Sequence, residues 1–113
     1  MLPGELIIVG ELVRRSGLRK WHNQDLHSIR VVDMDDGAMG SLCFASNAED
    51  RKYGRTVSEG WFKDSDGVPV RVSLNVDRDG DLFELDSWKV DFSARNRLPS
   101  DPSELFYGPA VME

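Results

Sequence analysis

An α+β fold, with an N-terminal helix packed on an antiparallel β-meander of about five strands, is what three features of the sequence predict. Residues 4–15 carry apolar side chains at helical spacing. Residues 68–92 hold an alternating stretch, an Asp-Gly turn and a second stretch rich in branched and aromatic side chains. The segments between are short and rich in Asp, Gly and Ser, so strands pairing in chain order are expected.

In the helix, Leu6, Ile7, Val9, Leu12 and Val13 share one side, and Glu5, Glu11, Arg14 and Arg15 lie largely on the other. Pro3 suits a first turn, Glu5 and the Arg14–Arg15 pair complement the helix dipole, and Gly17 supplies a left-handed cap. Leu18 to Gln24 reads as a loop or a short second helix. Ser28 to Met34 is a first strand, Asp35-Asp36-Gly37 a tight turn, and Ser41 to Ala45 a second strand carrying Leu42 and Phe44. Ser46 to Arg55 is polar and unpatterned, a surface loop, and Thr56 to Lys63 forms the third strand, ending at the turn Asp64-Ser65-Asp66-Gly67.

The fourth strand alternates Val68, Val70, Val72, Leu74 and Val76 with polar neighbours, and Asp77-Arg78-Asp79-Gly80 turns it into the fifth. There the apolar set runs Phe83, Leu85 and then Trp88, Val90, Phe92, a change of parity that predicts a β-bulge at Asp86-Ser87. Val70, Val72, Leu74, Leu85, Trp88, Val90 and Phe92 are therefore expected in one core, against the helix face bearing Ile8 or Val9 and Leu12. Pro99, Pro102 and Pro109 leave residues 96–113 an irregular tail with Leu105, Phe106 and Tyr107 as a docking patch. The 113 residues are expected to form a single domain, 1–113.

With 40% apolar and 30% charged residues the composition is that of a soluble globular chain, and no apolar run approaches the roughly 20 residues that cross a bilayer. Leu6-Ile7-Ile8-Val9 has no Lys or Arg before it and no small-residue cleavage site after it, so a cytoplasmic location is expected instead of secretion. Cys43, the one cysteine, cannot form an internal disulfide. The net charge of −6 is unevenly placed: residues 1–63 hold nine acids and nine bases, residues 64–113 eleven acids and five bases. Such a surface disfavours nucleic acid and anionic membrane and favours a basic partner, although an acidic surface also simply keeps a small protein soluble.

Asn75, Asp77, Asp79, Gly80 and Asp86 fall on positions 1, 3, 5, 6 and 12 of an EF-hand calcium loop. The approach to that loop has a period of two and contains Pro69, so the hairpin reading prevails and no metal is expected. Glu84 and Asp86 project from one strand face and could serve as paired carboxylates, but no histidine lies near them in sequence. His22 and His27 lack a second ligand pair, and no cofactor is expected. Trp61 and Trp88 suit packing, whereas Trp21, flanked by Arg19, Lys20 and His22, is a candidate exposed anchor. Cys43, between Leu42 and Phe44, has no neighbouring base to activate it.

Asp36-Gly37-Ala38-Met39-Gly40-Ser41-Leu42, Arg51-Lys52-Tyr53-Gly54 and the stretch Leu82 to Ser93, with its Leu-Phe-Glu-Leu-Asp and Trp-Lys-Val-Asp-Phe blocks, resemble a family of small bacterial domains of unknown function. The resemblance spans about residues 28–98 and implies a bacterial source and a single-domain architecture, with no catalytic residues to carry over. Small acidic α+β proteins of this kind also resemble immunity proteins, which neutralise a toxin by covering its active surface.

The expected function is a non-enzymatic protein-binding module, immunity-like, whose partner is another protein with a basic surface. Alternatives are a small enzyme or ligand-binding domain using Glu84 and Asp86, and an oligomerising structural domain. Candidate contact residues are Asp64, Asp66, Asp79, Asp81 and Glu84, together with Trp21; the two acidic turns should lie at opposite ends of the sheet, and Asp79 and Asp81 are favoured.

Overall fold

The computed structural model describes residues 1–17, 26–34, 39–46 and 50–108. It contains one α-helix and a five-stranded, wholly antiparallel sheet, so the chain has an α+β fold. Helix α1 spans Pro3–Ser16; the strands are β1 (Val31–Asp33), β2 (Leu42–Phe44), β3 (Tyr53–Lys63), β4 (Pro69–Asp77) and β5 (Leu82–Lys89). Glu5 accepts the Leu2 N–H at 2.7 Å at the start of α1, and Gly17 closes its end with a left-handed φ of 73°. Trp21 and the Asp35-Asp36-Gly37 turn lie outside the described residues.

The sheet order is β1-β2-β5-β4-β3, which departs from the consecutive meander expected from the short loops. β1–β2 and β3–β4–β5 are each built from neighbours in sequence, but β2 pairs with β5 and not with β3. Phe44 at the end of β2 and Tyr53 at the start of β3 therefore lie on either side of β5 and β4, at the end of the sheet that holds the β4–β5 turn.

Directly opposed residues of antiparallel strands share a face. One face presents Phe62, Val70, Val72, Leu74, Leu85 and Leu42, all at most 1% exposed. Ile8, Val9, Leu12 and Val13 of α1 join them in one core.

Two expectations about β5 are overturned. The bulge falls at Phe83, between the pairs Asn75–Glu84 and Val76–Leu82, and not at Asp86-Ser87. Beyond it the strand runs regularly, so Leu85, Ser87 and Lys89 point to the core and Trp88 to the opposite face. Phe92 is 76% exposed, because the chain leaves the sheet through a turn in which the Phe92 N–H donates to the Lys89 carbonyl and Phe92 takes a φ of 62°. Val90 and Trp88 are only partly buried.

The tail lies against the chain's own sheet. Leu105 enters the core at 5% exposure, Tyr107 packs against it, and Phe106 stacks on Trp61 with ring centroids 4.7 Å apart. A β-carbon on Gly60 would lie 2.9 Å from the Phe106 carbonyl oxygen, so only glycine lets the tail pass this close to β3.

Leu74→Ala, at a fully buried position, is expected to cost roughly 2 to 5 kcal/mol in urea unfolding, whereas Phe92→Ala should stay within about 0.5 kcal/mol of the parent. Equal shifts in the two variants would contradict this assignment of the core.

Candidate binding surface

The β4–β5 turn is built around Asp77. Its Oδ1 accepts the N–H groups of Asp79 (2.9 Å) and Asp81 (3.0 Å), and its Oδ2 accepts from Arg51 Nε at 2.9 Å. Arg51 also donates through Nη1 to the Phe44 carbonyl at 2.7 Å and through Nη2 to the Leu82 carbonyl. One guanidinium thus joins the end of β2, the end of β4 and the start of β5, at the point where the chain crosses to β3. Burial alone would push the Asp77 carboxyl up; the Asp81 N–H, Arg51 and the Asp79 N–H together hold it below the usual carboxylate range. An open cleft of about 520 Å³ beside it is lined by Asp50, Arg51, Lys52, Asp77, Arg78 and Asp79.

At the other end of the sheet Lys89 is fully buried, with Nζ 3.1 Å from Asp64 Oδ2 and 2.5 Å from Asp66 Oδ2. Asp64 also accepts the N–H groups of Ser65 (2.7 Å) and Asn96 (2.8 Å). Its burial favours the neutral acid, but the Asn96 and Ser65 N–H groups and Lys89 override this and lower its pKa. The hydrogen bond to Asp66, together with Asp64, outweighs desolvation and raises that of Lys89.

The sheet face opposite α1 has no described element lying over it. Its strands line up three rows: Trp61, Arg71 and Trp88; Glu59, Ser73 and Asp86; and Thr56, Asn75, Glu84, Cys43 and Val32. Arg71 lies 5.8 Å from the Trp88 ring centroid and 3.8 Å from Glu59 Oε2. The Asn75 amide, 2% exposed, donates to Glu84 Oε1 (3.1 Å) and Asp86 Oδ2 (3.0 Å) and accepts from Thr56 Oγ1 at 2.7 Å. Asn75 orients the two carboxylates but, being neutral, cancels none of their charge. Neither Glu84 nor Asp86 has an ion-pair partner among the described residues.

The acidic residues singled out in the sequence therefore separate by environment. Asp64 is 3% exposed and paired inward, so it offers no charge at the surface, and Asp66 is half-exposed with one oxygen on Lys89. Asp79 stands exposed on the β4–β5 turn with Asp81 beside it, at the opposite end of the sheet from Asp64 and Asp66. Glu84 shares the uncovered face with Glu59 and Asp86. Trp21 lies outside the described residues. Arg51 lies in a loop without hydrophobic pattern, so its role at the turn is not legible from spacing, whereas the alternation of β4 already puts Asn75 on the face away from the core.

Among the described residues no three His, Cys, Asp or Glu side chains converge as a metal-ligand set, and no helix is long and apolar enough to cross a membrane.

The family model described as Domain of unknown function (DUF6984) matches residues 1–99. The chain belongs to the DUF6984 family. The match takes in α1 and all five strands and ends before the Pro102–Glu104 turn and the Phe106 contact of the tail. No curated protein and no solved structure matches the chain.

Arg51→Ala should destabilise this DUF6984 domain by roughly 3 to 5 kcal/mol, because it strands the Asp77 charge in a buried position. Since the folded-state pKa values of Asp64 and Asp77 are depressed, the stability they contribute is present above the unfolded carboxylate value of about 3.9 and is lost as pH falls through the folded values. Denaturant midpoints should therefore decline below about pH 4, and Asp77→Asn should make that decline shallower. An acid limb unchanged by Asp77→Asn would remove Asp77 from the account.

Proposed function

We propose that this protein is a non-catalytic binding domain that receives a basic protein partner on the sheet face opposite α1 and on the adjoining β4–β5 turn. The observation that carries this reading is the pair Glu84 and Asp86, which have no ion-pair partner among the described residues and are held by the Asn75 amide beside Glu59 and the Trp88–Arg71 pair. Asp77 and Asp64, which serve the fold, meet Arg51 and Lys89, and Glu59 on this face meets Arg71, whereas Glu84 and Asp86 meet no cation among the described residues. Asp79 and Asp81 extend the negative surface around the end of the sheet, where exposed turn residues reach a partner first. An immunity-like role in the cytoplasm, in which the acidic face covers the active surface of a basic toxin, is the form of this function that the charge distribution favours.

The test begins with capture of the partner from cells of the source organism on the immobilised full chain, followed by association kinetics with Glu84→Lys, Asp86→Lys, Asp79→Lys and Asp81→Lys. Each reversal on the contact surface should slow association by about tenfold at low ionic strength, with the difference fading as salt rises. Unchanged association rates for all four variants would overturn the proposal.

A further inference from the structure

We propose that the outer edge of β3, centred on Trp61, is a strand-pairing surface for a second copy of this chain, and that the chain's own residues 101–107 hold it shut. The proposal does not depend on what the acidic face binds.

β3 lies at the border of the sheet, and its first half carries two bulges, at Gly54 and Val57, which break up the edge there. Its second half is regular. In that half the backbone groups of Trp61 face outward, and those of Glu59 and Lys63, at the same parity, face outward with them. Phe106 takes the Trp61 pair with both hydrogen bonds of an antiparallel rung: the Trp61 N–H donates at 2.9 Å and the Phe106 N–H returns one at 2.7 Å. The Lys63 carbonyl accepts from Arg97 Nη1 at 2.5 Å, and Arg97 pairs through Nη2 with Glu104 of the tail. A single rung and one arginine thus cover a run of edge that an incoming strand could pair along its whole length.

That edge is complementary to itself. Laid antiparallel about Trp61, it sets Trp61 against its counterpart, Glu59 against Lys63 of the second copy, and Lys63 against Glu59. The two-fold axis doubles each favourable contact. Glu59 and Lys63 are both exposed, Glu59 with Arg71 beside it at 3.8 Å. Because the Trp61 N–H and carbonyl serve one neighbour at a time, the second copy replaces Phe106 and cannot join it. The chain therefore has a closed form with its tail docked and an open form that pairs edge to edge.

Sedimentation equilibrium of the full chain at low ionic strength tests this. Phe106→Pro removes the N–H that the tail donates to Trp61, and should dimerise about tenfold more tightly than the parent, the order expected from losing one net backbone hydrogen bond. Adding Glu59→Lys should return the variant to a monomer of 12.7 kDa, and adding Lys63→Glu to that pair should restore the dimer. Should Phe106→Pro fail to fold by circular dichroism, Glu104→Ala, which loosens the tail at its surface turn, takes its place in the same series. A folded, tail-loosened variant that stays monomeric overturns the proposal. So does a dimer indifferent to Glu59→Lys, the result expected if copies merely exchanged tails.

Discussion

The arrangement of this domain depends on the reach of Arg51. A sheet ordered β1-β2-β5-β4-β3 obliges the chain to leave β2, pass the β4–β5 turn and begin β3 on the far side. That route leaves the carbonyls of Phe44 and Leu82 and the carboxylate of Asp77 at one crowded end of the sheet, each in need of a donor. The planar fork of a single guanidinium supplies all three. A lysine would satisfy the charge of Asp77 but lacks the spread of donors to hold two carbonyls as well. The Asp77 carboxylate in turn fixes the turn through the Asp79 and Asp81 N–H groups.

Lys89 performs a similar task at the opposite end, and the two sites share a logic. In one, the largely buried Arg51 meets Asp77; in the other, the fully buried Lys89 meets Asp64 and Asp66, so each cation sits where an aspartate begins or ends a turn. Full burial of a lysine is tolerable only with such partners, since an unpaired ammonium would deprotonate or refuse the interior. The consequence for the surface is selective. Asp64 and Asp77, at strand ends, turn inward to a cation, whereas Glu84 and Asp86, within β5, share the neutral amide of Asn75 and meet no cation among the described residues.

The two borders of the sheet are guarded differently. β1 is only three residues long, which limits what can pair with it. β3 is eleven residues long and relies on bulges in one half and on the tail in the other. The family match ends at residue 99, before Leu105 and Phe106, so the covering of the second half comes from chain beyond the matched segment.

By itself the sequence determined the elements: α1 from its helical spacing, β4 from strict alternation, and the hairpin from Asp77 to Asp81. These are local patterns, and burial of one face is enough to fix them. Only the tertiary structure decided the pairing of β2 with β5, because short loops are compatible with more than one strand order and the contacts of Arg51 with Phe44, Asp77 and Leu82 exist only once the strands have met. It also decided the parity of β5. Hydrophobicity alone assigned Trp88 and Phe92 to the core, but a lysine can occupy an interior position when aspartates wait at its end, and neither Asp64 nor Asp66 is near Lys89 until the sheet has formed. The same holds for the candidate binding surface: Glu84 and Asp86 share a face by their spacing, while the amide that bridges them, Asn75, reaches them only across the hairpin.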